Sequence, residues 1–167
     1  MQAQHSLNSL ELTKLKDKIK DIRIAMLTTL EHDGDFHTRP MATHDIDDDG
    51  TMWFFTYDNS TKVAEVQEDR RVSVAFSDPG SETYVTTKGT AELVRDRAKI
   101  DQLWSDVLKT WFPNGKDDPH VALLKVRIHA GEYWDRPGGK MMQLFEMAKG
   151  ALTGEPDKTG RNEKFGE

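Results

Sequence analysis

The stretch IAMLTTLEHDGDFHTRPMAT, residues 24–43, decides the fold class of this chain. Its first part, Ile24 to Leu30, is an apolar run of strand length, and Asp33-Gly34 is a dipeptide favoured in tight hairpin turns with positive φ. FHTRPMAT (Phe36 to Thr43) then returns as a second strand, paired antiparallel with the first. Alternation sends His37, Arg39, Met41 and Thr43 to one face and Phe36, Thr38, Pro40 and Ala42 to the other. A proline removes one ladder donor, so Pro40 is expected at an edge, a bulge or a place where a ligand meets the backbone.

Downstream, Asp49-Gly50 repeats the hairpin signal and leads into a third strand in meander order, TMWFFTY (Thr51 to Tyr57). DNSTKVAEVQED switches to a short helical pattern, with Ser60 as N-cap and Val63 and Val66 facing inward. Val72 to Phe76 is a fourth strand, Asp78-Pro79-Gly80-Ser81 a turn, and Thr83 to Val94 a fifth strand in which Gly89 marks a bulge or bend of the kind that closes a barrel. Asp96 opens a helix carrying Ile100, Leu103, Trp104, Val107, Leu108 and Trp111 as one apolar stripe. Val121 to Ile128 is the sixth strand, continued by Glu132 to Asp135 after a break at Gly131. Upstream, Ser9 caps an amphipathic helix with Leu12, Leu15, Ile19 and Ile22 on one face. Met141 to Leu152 forms a last helix stopped by Gly154, and residues 155–167 read as a polar, irregular tail beyond a single domain over residues 1–154.

A chain of 167 residues suits one domain with a real core. Its net charge of −6 disfavours nucleic acid as the main partner, because phosphate contacts need a basic surface. The absence of cysteine excludes disulfides, thiolate metal sites and cysteine nucleophiles, and agrees with a cytoplasmic setting. No apolar run has the length of a membrane span, and MQAQHSLNSLEL lacks the charged and apolar regions of a secretory leader.

Asp45-Ile46-Asp47-Asp48-Asp49-Gly50 matches the first half of an EF-hand loop, but Thr56 stands where the closing glutamate is needed, so these acids read as a solvated hairpin. His37 and His44 are an odd number of residues apart on one strand and point to opposite faces, and His32 lies near a turn, so no metal site is expected. Nucleophile elbow, Walker A loop and hydrolase triad are all absent. What remains suits a flat, phosphorylated, redox-active ligand. Arg39 and Lys62 can neutralise a phosphate, Ser60, Thr61 and Thr56 can donate to it, and Met41, Trp53 or Phe54, Trp111 and Trp134 can supply apolar and stacking surface.

The segments HTRPM, WFFTYDNSTK, VSVAFSDPGSETYVTTKGTAEL, WFPNGKDDP, EYWD and RPGGK together resemble the general stress protein branch of the pyridoxamine 5'-phosphate oxidase-like FMN-binding split barrels, over about Ile19 to Gly154. The resemblance implies a mainly β fold, a six-stranded antiparallel split β-barrel with flanking helices, forming a homodimer that holds FMN between subunits. It implies cofactor contacts from Thr38, Arg39, Pro40 and Met41, from Trp53, Phe54, Phe55 and Thr56, and from the phosphate segment Ser60, Thr61 and Lys62, with Trp111 and Trp134 reaching in from the partner. The oxidase proper commonly carries Ser-Arg-Lys where this chain has Ser60-Thr61-Lys62, and a glutamine near Tyr84. Its C-terminal substrate signature is replaced by RPGGK and a helix, so pyridoxamine phosphate oxidation itself is not expected. The expected function is an FMN-dependent oxidoreductase acting on a small molecule, with no catalytic residue assigned. The alternatives are a flavin-binding or flavin-buffering protein without turnover, and the same fold holding deazaflavin or haem.

Overall fold

The computed structural model describes residues 6–136, 147–154 and 160–166. Helix α1 (Ser9–Ile19) is capped by Asn8 rather than Ser9: the Asn8 side chain accepts from the Glu11 N–H, and Glu11 accepts from the Asn8 N–H in return. The apolar spacing then buries Leu12, Leu15 and Ile19. Strands β1 (Ile24–Leu30) and β2 (Phe36–Ala42) form the predicted hairpin, with Gly34 at φ 87° in its turn. They are followed by β3 (Thr51–Tyr57), α2 (Thr61–Glu68), β4 (Arg71–Asp78), β5 (Thr83–Val94), α3 (Arg97–Leu103), a 3₁₀ helix (Asp106–Thr110), β6 (Val121–Asp135) and β7 (Arg161–Phe165). Residues 147–153 are helical; the rest of the last predicted helix, and the turn at Pro137-Gly138-Gly139, lie outside the described residues.

All pairings are antiparallel, in the order β2-β1-β4-β5-β6-β3, with β7 added alongside β6. Three expectations are corrected by this order. The sheet has seven strands, and it is not closed into a barrel: β2 and β3 are its two ends and share no ladder. The meander stops at the hairpin, because β3 pairs with β6 instead of β2. The free edge of β2 carries Pro40, which has no N–H to offer a neighbouring strand, and a cavity lined by both strands separates the two ends.

The inner face of the sheet meets α1 and α2 in one core, where Leu15, Leu27, Phe54, Val63, Val66, Val74, Val85, Leu124 and Val126 are fully or almost fully buried. A second cluster of Trp53, Phe55, Ile100, Leu108, Phe112, Val121 and Leu123 lies on the other side of β3 and β6. β3 is therefore covered on both faces, as its unbroken apolar run requires. The single helix expected after Asp96 is broken. Trp104 is extended (φ −64°, ψ 137°), and the chain restarts as the 3₁₀ helix, which lets Trp104 and Phe112 both pack against Phe55.

At Gly89 the β5–β6 register shifts, and a Cβ there would overlap the Arg127 carbonyl, so this bulge needs glycine. β6 runs unbroken through Gly131, where an added Cβ would overlap the Phe165 ring of β7. Residues 161–165, expected to be irregular, thus form an edge strand whose Phe165 is buried against β6.

Candidate functional site

The open seam between β2 and β3 contains the features best suited to a ligand. One cavity of about 250 Å³ is lined by Arg39 to Ala42 from β2, Phe55 to Tyr57 from β3, Lys62 from α2, and Leu108, Trp111 and Phe112. A neighbouring cavity of about 660 Å³ shares Ala42, His44, Leu108 and Trp111 with it and adds Ile24, Phe76, Val107 and the cationic rim Lys16, Lys20 and Arg23. Together they form one groove, polar at the α2 end and apolar along the 3₁₀ helix.

At the polar end, Arg39 reaches inward from β2, as strand alternation requires, and donates to Thr29 Oγ1 at 2.6 Å and Glu65 Oε2 at 2.9 Å. Lys62, on the first turn of α2, lies 3.4 Å from Thr56 Oγ1 and has no carboxylate partner among the described residues. Burial, with the Arg39 charge adding to it, lowers the Lys62 ammonium below its ordinary range. Ser60 occupies the cap position with its carbonyl accepting from the Val63 and Ala64 N–H groups but without a side-chain bond to the helix; its hydroxyl is 3.1 Å from that of Thr56. Two cations and two hydroxyls therefore converge where Glu65 is the one carboxylate offsetting the charge among the described residues.

Glu65 was not among the residues singled out by sequence. It is 8% exposed and receives hydrogen bonds from Thr29, His37 and Arg39. Burial pushes its carboxyl up, and those three bonds outweigh burial and hold it below the usual carboxylate range. The available signal was its place three residues after Lys62, which puts both on one side of α2.

His44 stands at the junction of the two cavities with its ring 5.3 Å from that of Phe55. Its Nε2 is buried without a hydrogen-bond partner among the described residues, and burial lowers its pKa, favouring the neutral ring.

The other predicted residues divide. Pro40, Met41, Phe55, Thr56 and Trp111 line the smaller cavity, Trp111 with half its surface exposed. Thr61 is exposed at the start of α2, and Thr38 lies on the outer sheet face, its hydroxyl 2.8 Å from that of Thr28. Phe54 is in the main core. Trp53 turns away from the groove, donating to Asp47 Oδ2 at 2.7 Å with Lys99 Nζ 5.0 Å from its ring centre. Trp134 sits across from Tyr84, away from the groove of its own chain. Alternation sends Phe54 to the main core and Trp53 and Phe55 to the other face, where Phe55 lines the groove and Trp53, one step further along the strand, lies beside Asp47 and Lys99.

A family model described as pyridoxamine 5'-phosphate oxidase like matches residues 11–157. The chain is 30% identical to a protein of Jannaschia sp. CCS1 provisionally assigned as general stress protein 26, covering 95% of this chain and 99% of that one with a TM-score of 0.76. It is 33% identical to the general stress FMN/FAD binding protein of Xanthomonas citri, covering 73% of this chain and 86% of that one with a TM-score of 0.62. Protein bli-3 of Neurospora crassa is 24% identical over 159 residues, spanning 85% of this chain and 76% of its own.

Proposed function

The chain belongs to the pyridoxamine 5'-phosphate oxidase-like family, and from that footing we propose that it binds FMN in the β2–β3 groove and serves as a flavin-dependent oxidoreductase acting on a small molecule. The observation that carries this reading is the juxtaposition of Lys62, Arg39, Thr56 and Ser60 at one end of an aromatic-walled groove. That donor set suits a phosphate monoester, and the apolar remainder suits a flat ring. The two adjoining cavities, about 660 and 250 Å³, have the size of a mononucleotide site. The flavin-binding relative from Xanthomonas citri supports the same choice of ligand.

In this reading Lys62 and Arg39 neutralise the phosphate, and the Thr56 and Ser60 hydroxyls donate to its oxygens. Pro40, Phe55 and Trp111 exclude water from the ring, and His44 offers a neutral hydrogen-bonding group at the junction. Bound flavin supplies hydride or electron transfer; the chain supplies position, polarity and access.

The outer face of the sheet supports a homodimer. Ile24 and Met26 of β1, Pro40 of β2, Ala75 of β4, Tyr84 of β5 and Trp134 of β6 share that face, and Met26, Ile24, Tyr84 and Trp134 are each about two-fifths exposed. In the proposed dimer Trp134, which does not reach its own groove, is offered to the partner's.

FMN and riboflavin titrations test the ligand. Lys62→Ala is expected to weaken FMN by about tenfold to a hundredfold, the worth of one charge-assisted contact, and to leave riboflavin nearly unchanged. Equal losses for both flavins would remove the phosphate assignment. Bleaching of the bound flavin by NADH or NADPH, with recovery on adding an electron acceptor, tests turnover; its absence with every donor and acceptor tried would leave a flavin-binding protein.

A further inference from the structure

Beside the groove, the β1–β2 hairpin and α2 bring together a second constellation. Glu31 lies just past β1, His37 on β2 and Glu65 on α2, and one ligand atom from each falls within 4.8 Å of the others. His37 Nδ1 is 2.8 Å from Glu65 Oε1 and 3.7 Å from Glu31 Oε1. We propose that Glu31, His37 and Glu65 form a site for a divalent metal ion of the zinc class.

Four features carry the assignment. A metal bound at about 2.0–2.2 Å by nitrogen and oxygen sets its ligands roughly 3 to 3.5 Å apart, a spacing these side chains reach by small rotations of two partly exposed groups. One imidazole with two carboxylates matches borderline cations such as Zn²⁺, whereas Ca²⁺ and Mg²⁺ call for oxygen alone. Glu31 adds a second carboxylate beside Glu65, whose charge Arg39 already partly offsets, and the ion takes the place of the hydrogen bond between His37 Nδ1 and Glu65 Oε1, the neutral imidazole then carrying its proton on Nε2. Finally, the other Glu65 oxygen is fixed by Thr29 and Arg39, which orients the ligand oxygen as outer-shell partners do in established metal sites. Three protein ligands leave the remaining positions to water. Among the described residues no other group of histidine and carboxylate side chains converges this way. The neighbouring pair His32 and Glu68 provides only two ligands and serves as an internal control.

Glu65 also pairs with Arg39 of the proposed flavin site, so the assignment is tested with metal alone, in the absence of flavin. Chelator-treated, untagged protein is titrated with Zn²⁺ by calorimetry and with Co²⁺ followed by visible absorption. One equivalent is expected to bind, with Co²⁺ bands reporting nitrogen and oxygen ligation. Glu31→Gln, at a half-exposed position that leaves the fold intact, and His37→Ala are each expected to weaken binding at least about tenfold. Glu68→Gln is expected to leave it unchanged. Absence of a stoichiometric site, or binding indifferent to both ligand substitutions, would overturn the proposal.

Discussion

Arg39 and Lys62 stand together in the groove, but their ties to the fold differ, and so do the consequences of removing them. Arg39 is paired with buried Glu65, whereas Lys62 touches only a hydroxyl among the described residues. Arg39→Ala strips a charge from a buried pair and is expected to lower stability by about 3 kcal/mol, read as a shift in urea midpoint. Lys62→Ala is expected to cost less than about 1 kcal/mol, or to stabilise, because it relieves a desolvated ammonium facing a like charge. His44 supplies the pH dependence at this scale. Its folded pKa is depressed by burial, so the stability it contributes is complete above the unfolded value near 6.5 and is lost as pH falls below it. His44→Phe, which keeps a ring against Phe55, is expected to flatten the fall in urea midpoint between about pH 7.5 and about pH 5.5. An unchanged slope would assign that acid sensitivity to other groups. Arg39, Lys62, Thr56 and Ser60 were legible in sequence because strand alternation and a helix cap fix where they point. Glu65 and His44 were not. Their role comes from partners on other strands, Thr29 of β1 and His37 and Arg39 of β2 for Glu65, and Phe55 of β3 for His44.

Among the elements, those with a strong local period were legible: the hairpin with its Asp-Gly turn, the amphipathic α1, the β5 strand with its glycine bulge. Those whose form depends on a distant partner were not. The helix after Asp96 breaks at Trp104 because two aromatics must pack on Phe55 at once, a demand no local pattern announces. Likewise RNEKF has the composition of a solvated tail and becomes β7 only because β6 presents a free edge and Gly131 a socket for Phe165. Arg161 then pairs with Asp135, and Tyr133 donates to Glu163. Phe165→Ala is expected to destabilise the whole domain by about 3–5 kcal/mol, since the socket is closed by backbone on its other side and cannot collapse. Thermal unfolding checks this; a loss below about 1 kcal/mol would mean that β7 is only laid on the sheet.

For the whole molecule, the open sheet is the feature that matters. A closed sheet would pair β2 with β3 and fill the groove with ladder hydrogen bonds; leaving the ends apart preserves a cleft flanked by rigid strands. The same architecture leaves the outer face uncovered, with Met26 and Pro40 opposite each other and Ala75 beside them in a flat, apolar row that β1 carries up to the groove. Placing one charge in that row separates the two proposed roles of the face. Met26→Glu introduces a carboxylate at an exposed site and is expected to change monomer stability by less than about 0.5 kcal/mol. In the proposed dimer the same substitution sets two carboxylates against an apolar partner, and sedimentation is expected to show a monomer. If Trp134 and its neighbours complete the partner's groove, FMN affinity is lost together with the dimer. A monomer that retains full FMN affinity would confine the site to one chain, with Lys62, Arg39 and Trp111 sufficient to hold the ligand.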